Sequence, residues 1–306
     1  MIRERKRPSV EKNKLRKLKN LFFLLIILFF AFGFGKKVFR WFAGSWNGKS
    51  QISLAVEAKE GKVLVLVITP SKNIAGLLIL PSNLEIETPW FGRYRADKLS
   101  LLAKQEDKIS IFPRSLAYFL KIPIDLGLVK TKLSFSEDEA VLKERIRRLF
   151  FPPMTVDYWR LWRAFENRDL YWKIVDLSDF SQERTLPDGS FLLTLDDGGD
   201  LGGLLEYFSD PAVKKENLSI GVTNLGQISG LAQRVSDLVA NLGGRVIEMN
   251  GGDFNLKEDC LILINEDRLA ETTTVSRLSS VLGCDIRQDS DLTALDLQIL
   301  IRNVRI

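Results

Sequence analysis

The chain has 306 residues, with 44 Lys or Arg against 39 Asp or Glu and a formal net charge of +5. Residues 1–20 hold nine basic and two acidic side chains, a net +7, which leaves −2 for the rest of the chain. A slightly acidic body excludes a broad basic face, so no nucleic-acid partner is expected. The absence of His excludes His-based triads and His-ligated zinc, and two Cys cannot form a four-cysteine zinc site.

An uncharged apolar run follows the basic tail at residues 21–34. Fourteen helical residues reach about 21 Å, short of a hydrocarbon core of about 30 Å. Further apolar residues up to Phe42, and the long stems of flanking Lys and Arg, extend the run. We therefore predict a transmembrane signal anchor over residues 21–42. A cleaved signal peptide is the alternative, because its apolar region is also short.

The orientation of the predicted span follows from its flanking charges. Nine basic residues precede it, and only Lys36, Lys37 and Arg40 lie close to its other end. The positive-inside rule then predicts a cytoplasmic tail over residues 1–20 and an extracytoplasmic body. The predicted location is the cell membrane, crossed once, so the membrane is the first expected partner.

The first part of the body has the pattern of an α/β domain. The predicted strands, from apolar runs bounded by turn residues, cover residues 51–58, 62–69, 74–80 and 124–134. The predicted helices, from Pro at a helix start and from helical spacing, cover residues 113–120, 137–150 and 155–168. Aromatic residues on the last helix are expected to pack in a core. We assign residues 51–180 to this domain and residues 181–216 to a connecting segment.

The remaining chain predicts a second, smaller domain over residues 217–306. Its predicted strands, again from apolar runs, cover residues 217–226, 245–249, 260–264 and 295–301. Its predicted helices cover residues 229–243 and 269–282, with Gly243 and Gly283 as stop signals. The order strand-helix-strand-strand-helix-strand is that of a small α/β sandwich.

Several segments resemble a known family. Residues 78–86 (LILPSNLEI) and 89–99 (PWFGRYRADKL) resemble the core of the LytR-CpsA-Psr family, and residues 120–125 (LKIPID) resemble its Leu-Gly-Ile-Pro-Ile-Asp passage. Residues 51–180 are thus similar to a degenerate version of that core. A short cytoplasmic tail with one anchor is also the layout of the family.

The second domain resembles the C-terminal domain of the same family more strongly. The run at residues 222–235 (VTNLGQISGLAQRV) is similar to the family's Val-x-Asn-Gly-Thr-Gly-x-x-Gly-Leu-Ala-x-x-Val. Leu282 with Gly283, and the strand at residues 296–300, match two later features. The resemblance covers nearly all of residues 217–306, with one glycine of the turn missing.

The resemblance implies extracytoplasmic transferases that move a glycopolymer from a polyprenyl-pyrophosphate carrier onto peptidoglycan, with Mg²⁺ and with Arg and Asp side chains around the pyrophosphate. Where the family has an Arg-Asp pair, this chain has Ser82 and Asn83. Ser cannot hold phosphate oxygens as an Arg fork does, and neutral Asn is a weaker Mg²⁺ ligand than Asp.

These departures favour a non-catalytic binding or scaffolding protein of the cell envelope, without a cofactor. Its expected partners are the membrane and a polyprenyl phosphate, peptidoglycan or glycopolymer. The alternative is an active Mg²⁺-dependent phosphotransferase with a reorganised site that attaches a glycopolymer to peptidoglycan. A sensor that signals through its cytoplasmic tail is a third hypothesis.

Two sets of candidate site residues follow. Ser82, Arg93 and Arg95 are the candidate phosphate contacts that remain near the expected family site. Asn224 and Gly226 form the second candidate, because a strand, Asn, Gly and a helix start can present backbone amides to an anion. A plain connecting turn is the competing interpretation there. No metal site is predicted.

The two cysteines, Cys260 and Cys284, allow two interpretations. They either form a disulfide in an oxidising exterior or remain two buried free thiols. Sequence alone does not decide between these states, because the pairing depends on the distance and direction of the two Cβ atoms.

Overall fold

The computed structural model describes residues 46, 48, 50–89, 91–129, 131, 133–150, 156–166, 170–195, 208–252 and 256–302. The predicted tail and the predicted anchor over residues 21–42 lie outside this part of the chain. None of the helices in the described part is long and apolar enough to cross a membrane.

The described residues form a mixed α/β structure with several sheets. The strands are β1 (Ile52–Glu57), β2 (Val63–Thr69), β3 (Ile74–Leu80), β4 (Glu85–Thr88), β5 (Gly92–Arg95), β6 (Leu126–Leu128), β7 (Tyr171–Asp176), β8 (Ser181–Thr185), β9 (Phe191–Leu195), β10 (Ser219–Asn224), β11 (Arg245–Gly251), β12 (Cys260–Ile264), β13 (Asp285–Gln288) and β14 (Leu297–Ile301). The α-helices are α1 (Leu99–Gln105), α2 (Ile111–Leu120), α3 (Glu139–Leu149), α4 (Val156–Glu166), α5 (Pro211–Glu216), α6 (Leu231–Leu242) and α7 (Thr273–Leu282).

The first sheet is built on three consecutive antiparallel strands, β1, β2 and β3, as the apolar runs predicted. The short strands β6 and β7 run parallel to β1 and β3 and complete the order β6-β1-β2-β3-β7. The strand predicted over residues 124–134 is wrong in length, because β6 pairs with β1 at only three positions. Beyond β6 the ladder gives way to single contacts, such as Lys59 N donating to Leu133 O at 2.8 Å.

Both faces of the first sheet are buried, which explains why its strands are apolar without alternation. On β2, Val63, Val65 and Val67 belong to one cluster, which includes buried side chains of α1 and α2. Leu64, Leu66 and Ile68 belong to a second cluster on the other face, together with buried residues of α3 and α4. The sheet is therefore the middle of three layers.

The aromatic residues of α4 pack in the core, as predicted. The ring of Phe165 stacks on Phe150 with centroids 5.7 Å apart, and on Trp172 of β7 at 6.0 Å. Tyr158 lies 5.8 Å from the same Phe150 ring. Contacts of this kind contribute about 0.5–1.5 kcal/mol each beyond simple burial. The stripe thus fixes α4 and α3 to the sheet.

The second sheet has the order β11-β10-β14-β12-β13, with β12 antiparallel to β14 and the other neighbours parallel. Helices α6 and α7 pack on one face and end at Gly243 and Gly283 in the left-handed conformation, as predicted. The predicted element order is wrong in one respect, since β13 adds a strand before β14. All four residues of β13 are exposed, so no apolar pattern marked it.

The helix predicted over residues 269–282 is divided. A 3-10 turn covers Asp267–Glu271, and α7 begins only at Thr273. The hydroxyl of Thr272 accepts a hydrogen bond from Val275 N at 3.3 Å, so Thr272 caps the helix. The carboxylate of Glu216 accepts bonds from Thr273 N and Thr274 N, both at 2.8 Å. The start of α7 is therefore already occupied by an anionic side chain of this chain.

The two sheets are joined by contacts that continue one apolar core across them. Phe208 lies directly over Gly76 of β3, where a Cβ would come within 2.9 Å of the Phe208 ring. The side chain of Gln51 donates to Phe208 O at 2.5 Å. On α6, Arg234 pairs with Glu87 at 3.0 Å and lies over the Tyr118 ring at 4.1 Å. The two sheets are thus held together by packing and by polar contacts.

Asp296 connects β10 to the start of β14. Its Oδ2 accepts bonds from both the hydroxyl and the amide of Ser219, each at 2.7 Å. The Ser219 hydroxyl, and after it the Ser219 amide, lower the pKa of Asp296 below its ordinary value. A carboxylate with a lowered folded-state pKa stabilises the fold above its unfolded-state pKa of about 3.9, and that contribution is lost as pH falls through the lowered value.

Asp296→Asn is therefore expected to reduce the loss of stability that acid causes. Urea unfolding measured between roughly pH 6 and pH 2.5 should show a flatter pH dependence in this variant. Asp179→Asn, at an exposed position in a 3-10 turn, is the matched control. If both variants follow the wild-type pH profile, Ser219 does not stabilise the ionised form.

Candidate functional site

Ser82 lies in the turn that follows β3, at one edge of the first sheet. Its carbonyl accepts a bond from Asp97 N at 3.1 Å, and Ala96 N donates to Leu84 O at 2.9 Å. These bonds fold the hairpin of β4 and β5 back onto the end of β3. The backbone of Asp97 bonds to Ser82, and the side chain of Asp97 pairs with Arg95. Arg95 therefore lies near the Ser82 turn. Arg93 lies two residues earlier on β5.

The two candidate arginines are matched by carboxylates. Arg93 pairs with Glu85 at 3.2 Å, and Arg95 Nε and Nη2 donate to the two oxygens of Asp97 at 3.2 and 3.3 Å. Their side chains are 62% and 42% exposed. Ion pairs this exposed contribute about 0–1 kcal/mol, so they hold the guanidinium groups only weakly.

The hairpin itself carries as many basic as acidic side chains, and Arg234 of α6 adds a further basic group that pairs with Glu87. On the hairpin and the turn that follows it, the basic side chains are Arg93, Arg95 and Lys98, and the acidic ones are Glu85, Glu87 and Asp97. Lys98 also pairs with Asp97, at 3.2 Å. A phosphate here would compete with a carboxylate beside each guanidinium. Among the described residues, no group of three or more Asp, Glu or Cys side chains is placed to hold a metal ion.

Asn224 and Gly226 use their polar groups within their own turn. Gly226 N donates to Asn224 Oδ1 at 2.9 Å, and Asn224 Nδ2 donates to Ile228 O at 2.9 Å. Leu225 N donates to Ile301 O at 2.6 Å, which joins the turn to β14. A Cβ on Gly226 would collide with the carbonyl of Arg302. These contacts explain the presence of Asn224 and Gly226 by the structure of the turn alone. The predicted anion contact remains a prediction.

Gly226→Ala is expected to destabilise the protein by about 1–3 kcal/mol, because the Arg302 backbone must shift to admit the methyl group. Arg302 N is itself bonded to Asp259 O at 2.9 Å, which resists that shift. The matched control is Gly251→Ala, where an added Cβ meets nothing within 4 Å and the expected change is within about 0.5 kcal/mol. Equal denaturation midpoints for the two variants would contradict this account.

A buried ionic cluster, which sequence reasoning missed, lies between the two sheets. Arg277 of α7 donates from Nη1 to Asp125 Oδ1 at 2.6 Å, with side chains 11% and 14% exposed. Asp125 also accepts from Ser53 N at 2.8 Å and from Ser53 Oγ at 2.9 Å. Asp210, which is buried, lies 4.0 Å from Arg277 Nε. Three distant parts of the chain therefore meet at one guanidinium group.

This cluster borders a polar cavity of about 240 Å³. The side chains of Trp46, Ser50, Thr272, Ser276, Ser280 and Arg277 contribute to its lining. Within the described part of the chain, Arg277 Nε, Arg277 Nη2 and Asp210 Oδ2 are buried without a hydrogen-bond partner. Asp125 and Glu271 also line the cavity, so the lining has no net positive charge despite Arg277. The arrangement suits a neutral polar occupant such as water better than an anion.

A larger cavity of about 570 Å³ lies on the face of the second sheet opposite α6 and α7. Leu261, Leu263 and Leu300 form its apolar part. Its polar side chains largely bond to neighbours: Gln298 donates to Thr223 at 2.9 Å, and Arg287 pairs with Glu258 at 2.7 Å. Neither cavity is lined by Ser82, Arg93 or Arg95.

Cys260 and Cys284 form a disulfide. Their Cα atoms are 4.5 Å apart, and they lie side by side at the start of the paired strands β12 and β13. Both side chains are buried. Of the two states open from the sequence, the structure contains the paired one, and the bond joins the edge strand β13 to the sheet.

Comparison with known proteins gives remote structural likenesses alone. No family model matches the chain, and no curated protein matches it. B. subtilis TagT aligns with a TM-score of 0.39 at 11% identity, covering 54% of this chain and 92% of that one. B. subtilis TagU aligns at 0.35 and 10% identity, covering 53% and 98%. Lin1025 from Listeria innocua aligns at 0.38 and 7% identity, covering 52% and 97%.

TagT has also been solved bound to LIIa-WTA, and that structure aligns with a TM-score of 0.38 at 10% identity. The ligand is a property of TagT. Sequence identities of 7–11% and these TM-scores give no ground for carrying an activity across to this chain.

Proposed function

We propose that this protein is a membrane-anchored, extracytoplasmic member of the cell-envelope machinery, related to LytR-CpsA-Psr proteins, that binds or scaffolds without catalysis. The resemblance of residues 78–99 and 222–235 supports the relationship. Residues 21–42 supply the anchor, and the basic tail at residues 1–20 stays in the cytoplasm. The buried disulfide between Cys260 and Cys284 supports an oxidising exterior, where such bonds persist.

The observation that carries the non-catalytic part is the loss of the family's Arg-Asp pair beside arginines that are already paired. At the place where the related family is expected to hold a pyrophosphate, Ser82 and Asn83 replace an Arg-Asp pair. The nearby Arg93 and Arg95 already pair with Glu85 and Asp97. Pyrophosphate transfer needs positive groups that are placed where negative charge develops. Each of these two guanidinium groups is already matched by a carboxylate.

The activity test uses the full chain in proteoliposomes with a polyprenyl-pyrophosphate-linked glycopolymer, peptidoglycan and Mg²⁺. The expected result is no transfer and no release of the polyprenyl carrier. Turnover that is lost in Arg93→Ala with Arg95→Ala would overturn the non-catalytic proposal in favour of the phosphotransferase. Lys104→Ala, on the exposed side of α1, is a matched control for loss of a basic residue.

The binding test uses the same proteoliposomes with purified peptidoglycan carrying its glycopolymer. Co-sedimentation above the level of empty liposomes is expected, since the proposed role requires contact with a wall component. Stripped peptidoglycan and free glycopolymer, tested separately, identify which polymer is bound. Absence of binding to all three would overturn the scaffolding role.

The topology is tested in cells. After carbonate extraction the chain should remain in the membrane fraction, and protease added to spheroplasts should digest the body and spare the tail. Mass measurement of the purified protein separates an intact anchor from a cleaved signal peptide. A soluble chain that begins after residue 42 would overturn the anchor.

A further inference from the structure

The chain is fixed to the body at Trp46, the first residue that the structure describes. Trp46 is 5% exposed and belongs to the core cluster beneath α3 and α4. Its amide donates to Asp157 at 3.1 Å, its indole N–H donates to Ser50 O at 2.8 Å, and its carbonyl accepts from Arg160. Both backbone groups of Trp46 and its ring are therefore held in place.

Trp46 lies at one particular edge of the first sheet, which we call the Trp46 edge. There β1 begins, β2 ends, and β3 and β7 begin, since Ile52 pairs with Ile68 and Ile74 pairs with Tyr171. The exposed residues at this edge include Ser71, Lys72 and Asn73 in the turn between β2 and β3. Tyr171 is 67% exposed. A Tyr and a Lys are side chains that suit a membrane-water interface.

The predicted span ends at residue 42, four residues before Trp46. Four residues reach at most about 14 Å, even when fully extended. Trp46 itself must then lie within about that distance of the outer end of the span, beside Glu271 and Thr272, which line the same cavity. Because Trp46 is held on three sides, a short tether restrains the direction of the body as well as its distance.

We propose that the Trp46 edge rests on the outer headgroup layer of the membrane, with Tyr171 and Lys72 in contact with lipid. This proposal depends on the anchor in the proposed function and adds an orientation to it. Tyr171 inserts its ring among the headgroups, and the Lys72 ammonium lies near lipid phosphates.

The orientation places the Ser82 hairpin on the far side of the sheet. β3 runs from Ile74 at the Trp46 edge to Leu80 beside the Ser82 turn. The six steps between Ile74 and Leu80, at about 3.3 Å each, separate the two edges by about 20 Å. Ser82, Arg93 and Arg95 then face away from the headgroups, towards a polymer outside the membrane.

The test places single labels on the two edges of the full chain in liposomes. Ser71→Cys marks the Trp46 edge, and Lys98→Cys marks the opposite edge, where the Lys98 side chain is 54% exposed. Cys260 and Cys284 are joined to each other, so a maleimide fluorophore reacts at the new thiol. Lipids with a nitroxide on the headgroup then quench labels that lie close to the membrane.

Quenching of the label at Ser71 and little quenching at Lys98 is the expected result. Equal quenching, or stronger quenching at Lys98, would overturn the orientation while the anchor stands. Failure of the full chain to float with liposomes would overturn the anchor, and the orientation with it.

The contact itself is tested by Tyr171→Asp combined with Lys72→Glu in the Ser71→Cys protein. Quenching at Ser71 should weaken, because a carboxylate at each position repels anionic headgroups. Phe191→Asp, at an exposed position of β9 outside this edge, is the matched control and should leave quenching unchanged. Unchanged quenching in the double variant would overturn the lipid contact of Tyr171 and Lys72.

Discussion

Arg277→Met is expected to lower the free energy of unfolding by about 3 kcal/mol, the lower end of the range for breaking a buried ion pair. The change removes the positive charge from between Asp125 and Asp210, which are 14% and 1% exposed. Two carboxylates would then remain buried without a counter-charge. The bonds from Ser53 to Asp125 limit the loss, since they still stabilise that carboxylate. Chemical denaturation at neutral pH measures the free energy of unfolding of both proteins.

Two comparisons test whether the loss of stability comes from the buried ion pair and not from the removal of any Arg side chain. Arg268→Met removes an Arg whose ion pair with Glu266 is exposed, at 78% and 52%, and should change stability by less than about 1 kcal/mol. Asp125→Asn in the Arg277→Met background should recover part of the loss, because it removes one unpaired charge. Equal effects of Arg277→Met and Arg268→Met would show that the cluster is not an energetic centre.

The second large effect concerns the disulfide. Replacing Cys260 and Cys284 by Ala is expected to reduce the free energy of unfolding by about 3 kcal/mol in the chain-entropy description. The bond closes a loop with a sequence separation of 24 residues, so it restricts the unfolded chain. It also fastens β13, an exposed edge strand whose one neighbour among the described strands is β12. Thermal and urea unfolding measure the loss.

Reduction of the wild-type protein supplies the matched control, because it removes the bond while every side-chain atom except the new hydrogens is kept. Reduced wild type should approach the stability of the double variant, and reductant should not affect the variant. A titre of two free thiols in the unreduced wild type would contradict the pairing.

Strands β1, β2 and β3 of the first sheet were predictable because both of their faces are buried. Residues such as Val65 and Leu66 are apolar in sequence for that reason alone, and helices α4 and α6 were marked by aromatic or apolar spacing. The hairpins β4-β5 and β8-β9, and strands β7 and β13, were not predicted. The side chains of β5, β8 and β13 are mostly exposed, so no apolar pattern marked them, and pairing with a neighbouring strand is what makes them extended.

In the candidate site, too, some features were visible in the sequence and others depend on the fold. That Ser82 and Asn83 replace an Arg-Asp pair was visible in the sequence. That Arg93 pairs with Glu85, eight residues earlier, depends on the register of a hairpin which the sequence did not predict. The Arg277 cluster joins residues 152 positions apart, so no local pattern could have shown it.

The order of strands in the second sheet also bears on how the chain folds during its synthesis. β14 lies in the middle, between β10 and β12, although it is the last of the described strands in sequence. Until residues 297–301 have been synthesised, the pairs β10-β11 and β12-β13 have no strand to join them. A chain delivered from its N-terminus can form the local meander β1-β2-β3 early, because contacts between near neighbours close quickly. The second sheet must wait, with two unpaired strand edges exposed during synthesis. Chaperones that shield such edges would therefore be most needed in the final stage of synthesis.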